Sequence, residues 1–401
     1  MKPIYLDWAA SSPMDPELVP TMVELYAHSY GNPSSSHSFG RNAKKILQET
    51  REKCSVLLQV KPDQLIFTSG GTEANTLPLL SLLRRSSSGE IVLSAFEHAA
   101  VYELKSLFRE KGFQVKEVTP DANGIIQPEE VRRQLSPATI AVAVMLVNNE
   151  IGSIQPINRI SQEIRRFEAD HSTRIHFHCD AVQALGKIPV SLEISGADTM
   201  AFSGHKFCAP KGIGLLYSKN KFIPLASGGG QEFGLRPGTE NIPAIWAFGE
   251  VLEKRFHYME AEHTHAIRLR DRLILQMEEI EGAEVFPKSR TDSDKLGSNE
   301  WADLNYSPYI VAFNLSPVPG EICARVLNDR GIAVATGSAC SSNSKKKRGR
   351  VAYSVTADEQ IAQGIIRISF GPSNSETDID TFAETLQQEL PLLRKTVRHS
   401  R

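Results

Sequence analysis

The chain has 401 residues, a formal net charge of -2, 41% hydrophobic residues and 23% charged ones. A length of this order outgrows one ordinary core and suits a large domain with a smaller one beside it. Near-balanced charge gives no ground for direct, bulk nucleic-acid binding, and no apolar run approaches the roughly 20 residues a membrane helix needs. The opening text MKPIYLDWAASSP has no apolar signal-peptide core, so a cytoplasmic address is expected.

From about residue 60 the text alternates. DQLIFTSG reads as a strand and GTEANTLPLLSLLRR as a helix; RRSSSGE is a turn; EIVLSAFE is a strand and HAAVYELKSLFREKG a helix. FQVKEVTP and TIAVAVMLVNNE are strands separated by the helical QPEEVRRQL. INRISQEIRRFEAD is a helix, and RIHFHCDA, ADTMAFSG and GIGLLYSK are strands. Strands alternating with helices predict a mostly parallel sheet covered on both faces, and TIAVAVMLV is apolar enough for a strand buried on both sides.

The run IPAIWAFGEVLEKRFHYMEAEHTHAIRLRDRLILQMEEI is far longer than an average helix and is read as two, the second crossing into another domain. RTDSDKLGSNEWADLNYSP is polar and reads as a surface loop. IVAFNLS, GEICARVLNDRG, IAVATGSAC, GIIRISFG and DIDTFAETLQQELPLLRK then give strand, helix, strand, strand, helix, a small α+β unit. The five cysteines, Cys54, Cys179, Cys208, Cys323 and Cys340, are odd in number and show no C-x-x-C spacing, so neither a disulfide framework nor a zinc site is expected and most should be small buried hydrophobes.

The strongest chemical signal is FSGHKFCAPKGIG, where Lys206 directly follows a strand between Ser203, His205 and a glycine-rich stretch. A lysine that forms a Schiff base must be held at the mouth of a sheet beside phosphate-binding groups; the plainer reading is an exposed loop lysine. In HFHCDAVQALGK, Asp180 closes a β-rich run and could pair with a protonated ring nitrogen, as pyridoxal phosphate requires, or could simply cap a helix. Gln183 lies one turn further on. In LIFTSGGTEAN, Gly70, Gly71 and Thr72 fall between strand and helix, where free N–H groups suit a phosphate; a short glycine turn does the same without a ligand.

His98 sits just past a strand end and could stack on a cofactor ring or move protons, unless it is structural. Asn148, Asn149 and Glu150 follow the most apolar strand, at an end where ligands bind in such sheets; a turn is the bland alternative. GGGQEFGLRPGTEN carries Arg236 and Thr239, as a phosphate contact or a plain loop. Arg367, inside the apolar GIIRISFG, needs a partner if buried: a carboxylate gripped by its fork, or an ordinary salt bridge.

These residues together resemble the cysteine desulfurases of the NifS/IscS type in the class-V aminotransferase group. IYLDWAASSP, GNPSSSHSFG, FTSGGTEAN, EHAAV, VNNEIG, DAVQALGK, SGHKFCAPKGIG, RPGTEN, GSAC and IRISFG carry the likeness in order along nearly the whole chain. The resemblance implies an α/β, fold-type I pyridoxal-phosphate (PLP) enzyme. Its large PLP-binding domain, 15–255, would hold a mostly parallel seven-stranded sheet, and a smaller α+β domain, 1–14 and 256–401, would carry the Cys340 loop. It implies a homodimer with active sites at the interface. It assigns Lys206 as the Schiff-base lysine, Asp180 as partner of the ring nitrogen, Gln183 as contact to the ring oxygen and His98 as the stacking acid–base group. Gly71, Thr72, Ser203 and His205 become cofactor and phosphate ligands, with Thr239 from the other subunit. Asn149 and Arg367 become the carboxylate grip, and Cys340 the sulfur-receiving nucleophile. L-cysteine would become L-alanine, the sulfur passing as a persulfide to an iron–sulfur scaffold or a tRNA-modifying enzyme.

The competing expectations are a selenocysteine lyase or aminotransferase of the same fold, and a non-catalytic sulfur-transfer partner. Phe233 stands where this group usually has arginine, and Cys179 and Cys208 lie near the expected cofactor site where other residues are commoner. The run Lys345, Lys346, Lys347, Arg348, Arg350 is either a solvated loop or a docking surface for an acidic acceptor or tRNA.

Overall fold

The computed structural model describes residues 3–85, 88–290, 304–336 and 349–399. Cys340 and residues 345–348 of the basic run lie outside them, as do residues 86–87 of the serine turn and 291–303 of the polar loop.

A short strand β1 (Ile4–Tyr5) and helices α1 (Val19–His28) and α2 (Ser38–Leu58) precede the alternating region. Seven strands follow: β2 (Leu65–Thr68), β3 (Glu90–Ser94), β4 (Gln114–Val118), β5 (Thr139–Ala143), β6 (His176–Asp180), β7 (Thr199–Ser203) and β8 (Gly214–Ser218). They form one sheet in the order β2-β8-β7-β6-β5-β3-β4. β8 runs antiparallel to β2 and β7, and the other pairings are parallel. The expected mostly parallel seven-stranded sheet is therefore present. β5, β7 and β8 are buried at every residue, which is why their text is apolar without alternation.

The connecting helices are α3 (Gly71–Leu80), α4 (Ala99–Tyr102), α5 (Leu104–Glu110), α6 (Pro128–Gln134), α7 (Ile157–His171) and α8 (Leu192–Ser195). α7 buries Ile157, Ile160, Ser161, Ile164 and Phe167, spaced one helical turn apart, against the sheet. The single helix expected over residues 98–112 is instead α4 and α5. At Glu103 the N–H is shared between Ala99 O and Val101 O, and the ladder restarts.

The two helices expected after residue 240 are one, α9 (Ile242–Glu278), 37 residues long. Asn241 caps its start by accepting from Ala244 N–H, Pro243 occupies the first turn, and no proline follows to break it. Gly249 is tolerated inside because Thr50 of α2 packs there: a Cβ would meet Thr50 Cγ2 at 2.6 Å. Ile245, Phe248, Val251 and Leu252 join the core of the large sheet, while Leu269, Leu273, Ile274 and Met277 join a second core.

That second core surrounds a four-stranded antiparallel sheet of β9 (Glu284–Phe286), β10 (Ile310–Asn314), β12 (Ala335–Thr336) and β13 (Ile365–Ser369), in the order β12-β13-β10-β9. Between β10 and β12 lie α10 (Gly320–Asp329) and β11 (Ile332–Ala333), which pairs with β1 in parallel. The strand expected over 332–340 is thus split at Val334 between two sheets. α11 (Arg350–Thr356) and α12 (Glu359–Gln363) precede β13, and α13 (Glu376–His399) closes the chain. Of the described ends of the polar loop, Asn305 is exposed as expected, but Arg290 and residues 306–308 are buried. Arg290 is fully buried, donates to Ile310 O (2.6 Å) and Ser307 O (2.9 Å), and lies over the Tyr306 ring. The cysteines Cys54, Cys179, Cys208 and Cys323 are free and buried, as expected.

Candidate active site

A cavity of about 310 Å³ opens at the carboxyl ends of β3, β6 and β7. It brings together Gly71, Thr72, His98, Asn149, Asp180, Gln183, Ser203, His205, Lys206 and Arg367. Thr239 does not line it and is exposed, so this chain alone does not bring that residue to the site.

One end of the cavity is built by the β2–α3 turn. Gly70 takes φ 153° and ψ -177°, a backbone region open in practice to glycine only. At Gly71 a Cβ would approach Val182 Cγ2 to 2.8 Å, so the small residue lets the start of α3 come against Val182 and Ser203. The first N–H groups of a helix have no partner inside it, and here they stand beside the buried Ser203 Oγ, which has no hydrogen-bond partner among the described residues. His205 completes this end. Its Nδ1 lies 3.2 Å from Ser11 Oγ, and burial, with Lys206 and Lys211 nearby, pushes its pKa down to about 4.

Lys206 Nζ donates to Ala9 O (2.8 Å) and Ala10 O (2.7 Å). The Ala9 carbonyl also accepts from Gln183 Nε2 (2.8 Å), whose Oε1 accepts from the buried Lys187 (2.8 Å). Burial brings Lys187 down to about 7. The segment before α1, which holds the IYLDWAASSP motif, therefore forms one wall, though none of its residues was singled out for a role. Across the cavity Asp180 is buried. Its Oδ1 accepts from Val182 N–H (3.0 Å), as a turn-capping aspartate would, and its Oδ2 accepts from Asn75 Nδ2 (2.8 Å). Burial raises its pKa, opposed first by His98. His98 caps α4, its Nδ1 accepting from Ala100 N–H (3.1 Å), which leaves the ring hydrogen on Nε2. Burial lowers its pKa.

The remaining wall comes from the second sheet and the β5 exit. Arg367 is buried in β13. Its Nη2 pairs with Asp7 Oδ1 (2.6 Å), its Nη1 donates to Asn149 O (2.7 Å), and its Nε has no partner among the described residues. The salt-bridge reading of this arginine applies, and the side chain also lines the cavity. Of the paired amides, Asn148 is the turn residue, accepting from Glu150 N–H (2.9 Å) and Ile151 N–H (3.0 Å); Asn149 lines the cavity.

Two lining residues, Glu97 and Arg350, were missed as site residues, and a third, Glu150, was read only as part of a strand-end group or a turn. Glu97 is buried, accepts from Ser94 Oγ–H and Met145 N–H through Oε1, and burial pushes it up to about 8. Burial likewise holds Glu150 at about 7. Arg350 is the residue of the basic run that lies among the described residues, and it is half-buried. It donates to Ala95 O and Glu97 O and lies 3.8 Å over the Tyr102 ring, clamping the turn that carries His98. Its signal could have been the tyrosine four residues after His98, though nothing in the text ties the two together.

The stretch holding Arg236 and Thr239 is anchored by Glu232. Arg51 of α2 pairs with it through two bonds, Nη1 to Oε2 (2.8 Å) and Nη2 to Oε1 (2.6 Å), and Phe67 N–H donates to Oε2 (2.7 Å). Arg236 pairs with Glu73 of α3 (3.1 Å). Phe233 lies over the Arg51 guanidinium, 5.0 Å away.

A lysine and a buried carboxylate facing one cavity, with a phosphate-like cradle at its end, define a cofactor-dependent enzyme of the doubly wound α/β class. The sequence profile of the aminotransferase class-V family matches residues 4–382. Cysteine desulfurase IscS of Dictyoglomus turgidum is 34% identical over 395 residues, covering 98% of this chain and 95% of that protein. A cysteine desulfurase of Gluconacetobacter diazotrophicus is 35% identical, with 98% and 95% covered. Among solved structures, a NifS-like protein superposes with a TM-score of 0.86 at 31% identity, covering 97% of this chain and all of that one. SspA in complex with cysteine superposes with a TM-score of 0.74 at 28% identity, with 93% and 100% covered. The chain belongs to the class-V aminotransferase family, within its cysteine desulfurase branch. No helix among the described residues is long and apolar enough to cross a membrane.

Proposed function

We propose that this protein is a pyridoxal-phosphate-dependent cysteine desulfurase that converts L-cysteine to L-alanine and holds the sulfur on Cys340 for an acceptor. The observation that carries the reading is the buried Ser203 Oγ, without a hydrogen-bond partner among the described residues, beside the start of α3 in the same cavity as Lys206 and Asp180. A buried hydroxyl without a partner is costly, and a phosphate would relieve it. Gly71, Thr72, Ser203 and His205 would hold the phosphate, with Thr239 from a second copy of the chain. Asp180 would accept from the ring nitrogen, Gln183 would contact the ring oxygen, and His98 would cover the ring. When bound, pyridoxal phosphate supplies an electron sink that makes the Cα proton of an amino acid acidic.

Arg367 and Asn149 hold the substrate carboxylate, the free Nε of Arg367 giving it a donor beyond Asp7 and Asn149 O. Lys206 takes the Cα proton. The Cys340 thiolate attacks the substrate sulfur. The new S–S bond forms as the substrate Cβ–S bond breaks, its electron pair stays on Cβ, a proton passed by His98 completes the methyl group, and Lys206 returns its proton to Cα to give alanine. The products are alanine and a persulfide on Cys340. An iron–sulfur scaffold or a tRNA-modifying enzyme would then take the sulfur, and the enzyme would work as a homodimer.

The test is turnover of L-cysteine with a thiol reductant, a persulfide-trapping label and mapping by mass spectrometry. The expected result is alanine, sulfide and a label on Cys340, with Cys340→Ser keeping the yellow cofactor and losing sulfide release. Full sulfide release by Cys340→Ser refutes the mechanism. Strong discrimination in favour of selenocysteine, or a requirement for an α-keto acid, would move the protein to a different activity of this fold.

A further inference from the structure

Asp180 is one end of a hydrogen-bond chain through β6 and β7. Asn75 Nδ2 lies 2.8 Å from Asp180 Oδ2, and Asn75 Oδ1 lies 2.8 Å from His178 Nε2. His178 Nδ1 lies 2.9 Å from Thr199 Oγ1, which is also 2.8 Å from His176 Nε2. Asn75, His178 and Thr199 are buried, and neither His178 nor Thr199 lines the cavity.

Donor and acceptor chemistry leaves this chain two self-consistent directions when His178 is neutral. A carboxylate at 180 can only accept. Asn75 must then turn its NH2 to Asp180 and its carbonyl to His178, so His178 carries its hydrogen on Nε2 and accepts at Nδ1. The Thr199 hydroxyl must donate to that Nδ1 and accept from His176 Nε2–H. A protonated Asp180 donating into the chain would reverse every step: the amide turns over, His178 moves its hydrogen to Nδ1, and His176 Nε2 accepts. His178 is neutral, because burial, with His176 beside it, pushes its pKa down to about 3.

The surroundings select the first direction. Burial raises the Asp180 carboxyl, but hydrogen bonds from Val182 N–H and Asn75 Nδ2 to its two oxygens, with His98 beyond β3 and Lys206 beyond β7, oppose that rise and suit an acceptor. Glu97, which is buried and raised to about 8, is the nearby carboxyl that stays protonated at pH 7 and adds no competing charge. Each link then points a hydrogen toward Asp180, and dipoles aligned in one sense strengthen one another.

We propose that His176, Thr199, His178 and Asn75 form a one-way relay that keeps Asp180 an acceptor, making His178 and Thr199 positioning residues for the cofactor's ring nitrogen. The last clause rests on the pyridoxal phosphate reading; the relay itself does not.

The test is ring ¹⁵N NMR of ¹⁵N-histidine-labelled protein freed of cofactor, at pH 7, with His178 assigned by its loss in His178→Gln. His178 should be the Nε2–H tautomer with Nδ1 accepting a hydrogen bond. Thr199→Val, nearly equal in volume, should move the Nδ1 resonance toward that of an unbonded imidazole nitrogen and weaken pyridoxal phosphate binding by about 5-fold, the scale of one buried hydrogen bond. Thr199→Ser should restore both. An Nδ1–H tautomer or an imidazolium at His178, or an unmoved resonance in Thr199→Val, overturns the relay. Unchanged pyridoxal phosphate affinity in Thr199→Val overturns the positioning role. The ring spectra need no cofactor, so they stand apart from the assays on Cys340.

Discussion

Replacing Glu232 by leucine should cost most of what holds the β8–α9 connection in place. Glu232 and Phe233 both have left-handed backbones, φ 47° and 59°, in residues that are not glycine. Such positions cost about 1–3 kcal/mol each and persist only where the surroundings over-determine them. Here the side chain of Glu232 is 0% exposed and that of Arg51 8%, and the two form a fork-to-fork pair. Arg51 Nη1 also donates to Leu65 O, and its guanidinium lies 4.9 Å from the Phe67 ring. Glu232→Leu leaves that buried cation unpaired and the Phe67 N–H without its acceptor. Breaking a buried pair from one side costs about 3–5 kcal/mol, so the expected loss is about 4 kcal/mol. The assay is urea unfolding of the cofactor-free protein followed by circular dichroism, with linear extrapolation. The double variant Arg51→Met/Glu232→Leu leaves no unpaired charge and should regain about half of the loss or more, about 2 kcal/mol. A loss under about 1 kcal/mol in Glu232→Leu, or a double variant no more stable than the single one, refutes the reasoning.

Two further outcomes are expected. Glu97 sits near 8 in the folded chain and near its ordinary 4.5 when unfolded. The unfolded chain therefore releases this proton first, and the stability it contributes is full below about 4.5 and is lost as pH rises to about 8. Glu97→Gln should flatten that slope, so its stability relative to the parent should be higher at pH 8.5 than at pH 5; an identical pH dependence in urea unfolding would exclude it. Arg350→Gln removes the clamp on the Ala95 and Glu97 carbonyls, and kcat/KM for L-cysteine should fall by about 10- to 100-fold, the range for hydrogen bonds from a charged donor. Arg350→Lys should retain part of the rate, and full activity in Arg350→Gln would show that the His98 turn holds itself.

The large sheet was legible because each of its strands is a short apolar run bounded by turn text, and burial on both faces forces that composition. Lys206, Asp180, Gln183, His98 and Arg367 could be picked out because each stands at a strand end or interrupts apolar text, and all five line one cavity. Helix α9 was misread because length alone suggested a break, whereas its unbroken ladder follows from the absence of proline and from the two cores it serves in turn. IAVATG was misread because sheet membership is decided by partners: Ile332 meets Ile4, while Ala335 meets Arg367. Glu97 and Arg350 were missed because their roles depend on distant neighbours. Charge in a sequence reads as surface, and only packing shows that Arg350 is spent on two carbonyls and a ring.

The wall formed by the first dozen residues has a consequence for how the protein is made. Ile4 N–H bonds to Gly331 O, Leu6 N–H to Ala333 O, and Ser369 N–H to Leu6 O, while Lys206 is tied to Ala9 and Ala10. Ile4 and Leu6 must therefore wait for partners that leave the ribosome more than 300 positions later. Pairings of such separation are slow to close. The large sheet has all its strands by Ser218, so a nascent chain can assemble the lysine side of the site while the arginine side is still missing. The site closes when β13 emerges, and a chain cut short before that point carries Lys206 without the arginine that lines the opposite wall.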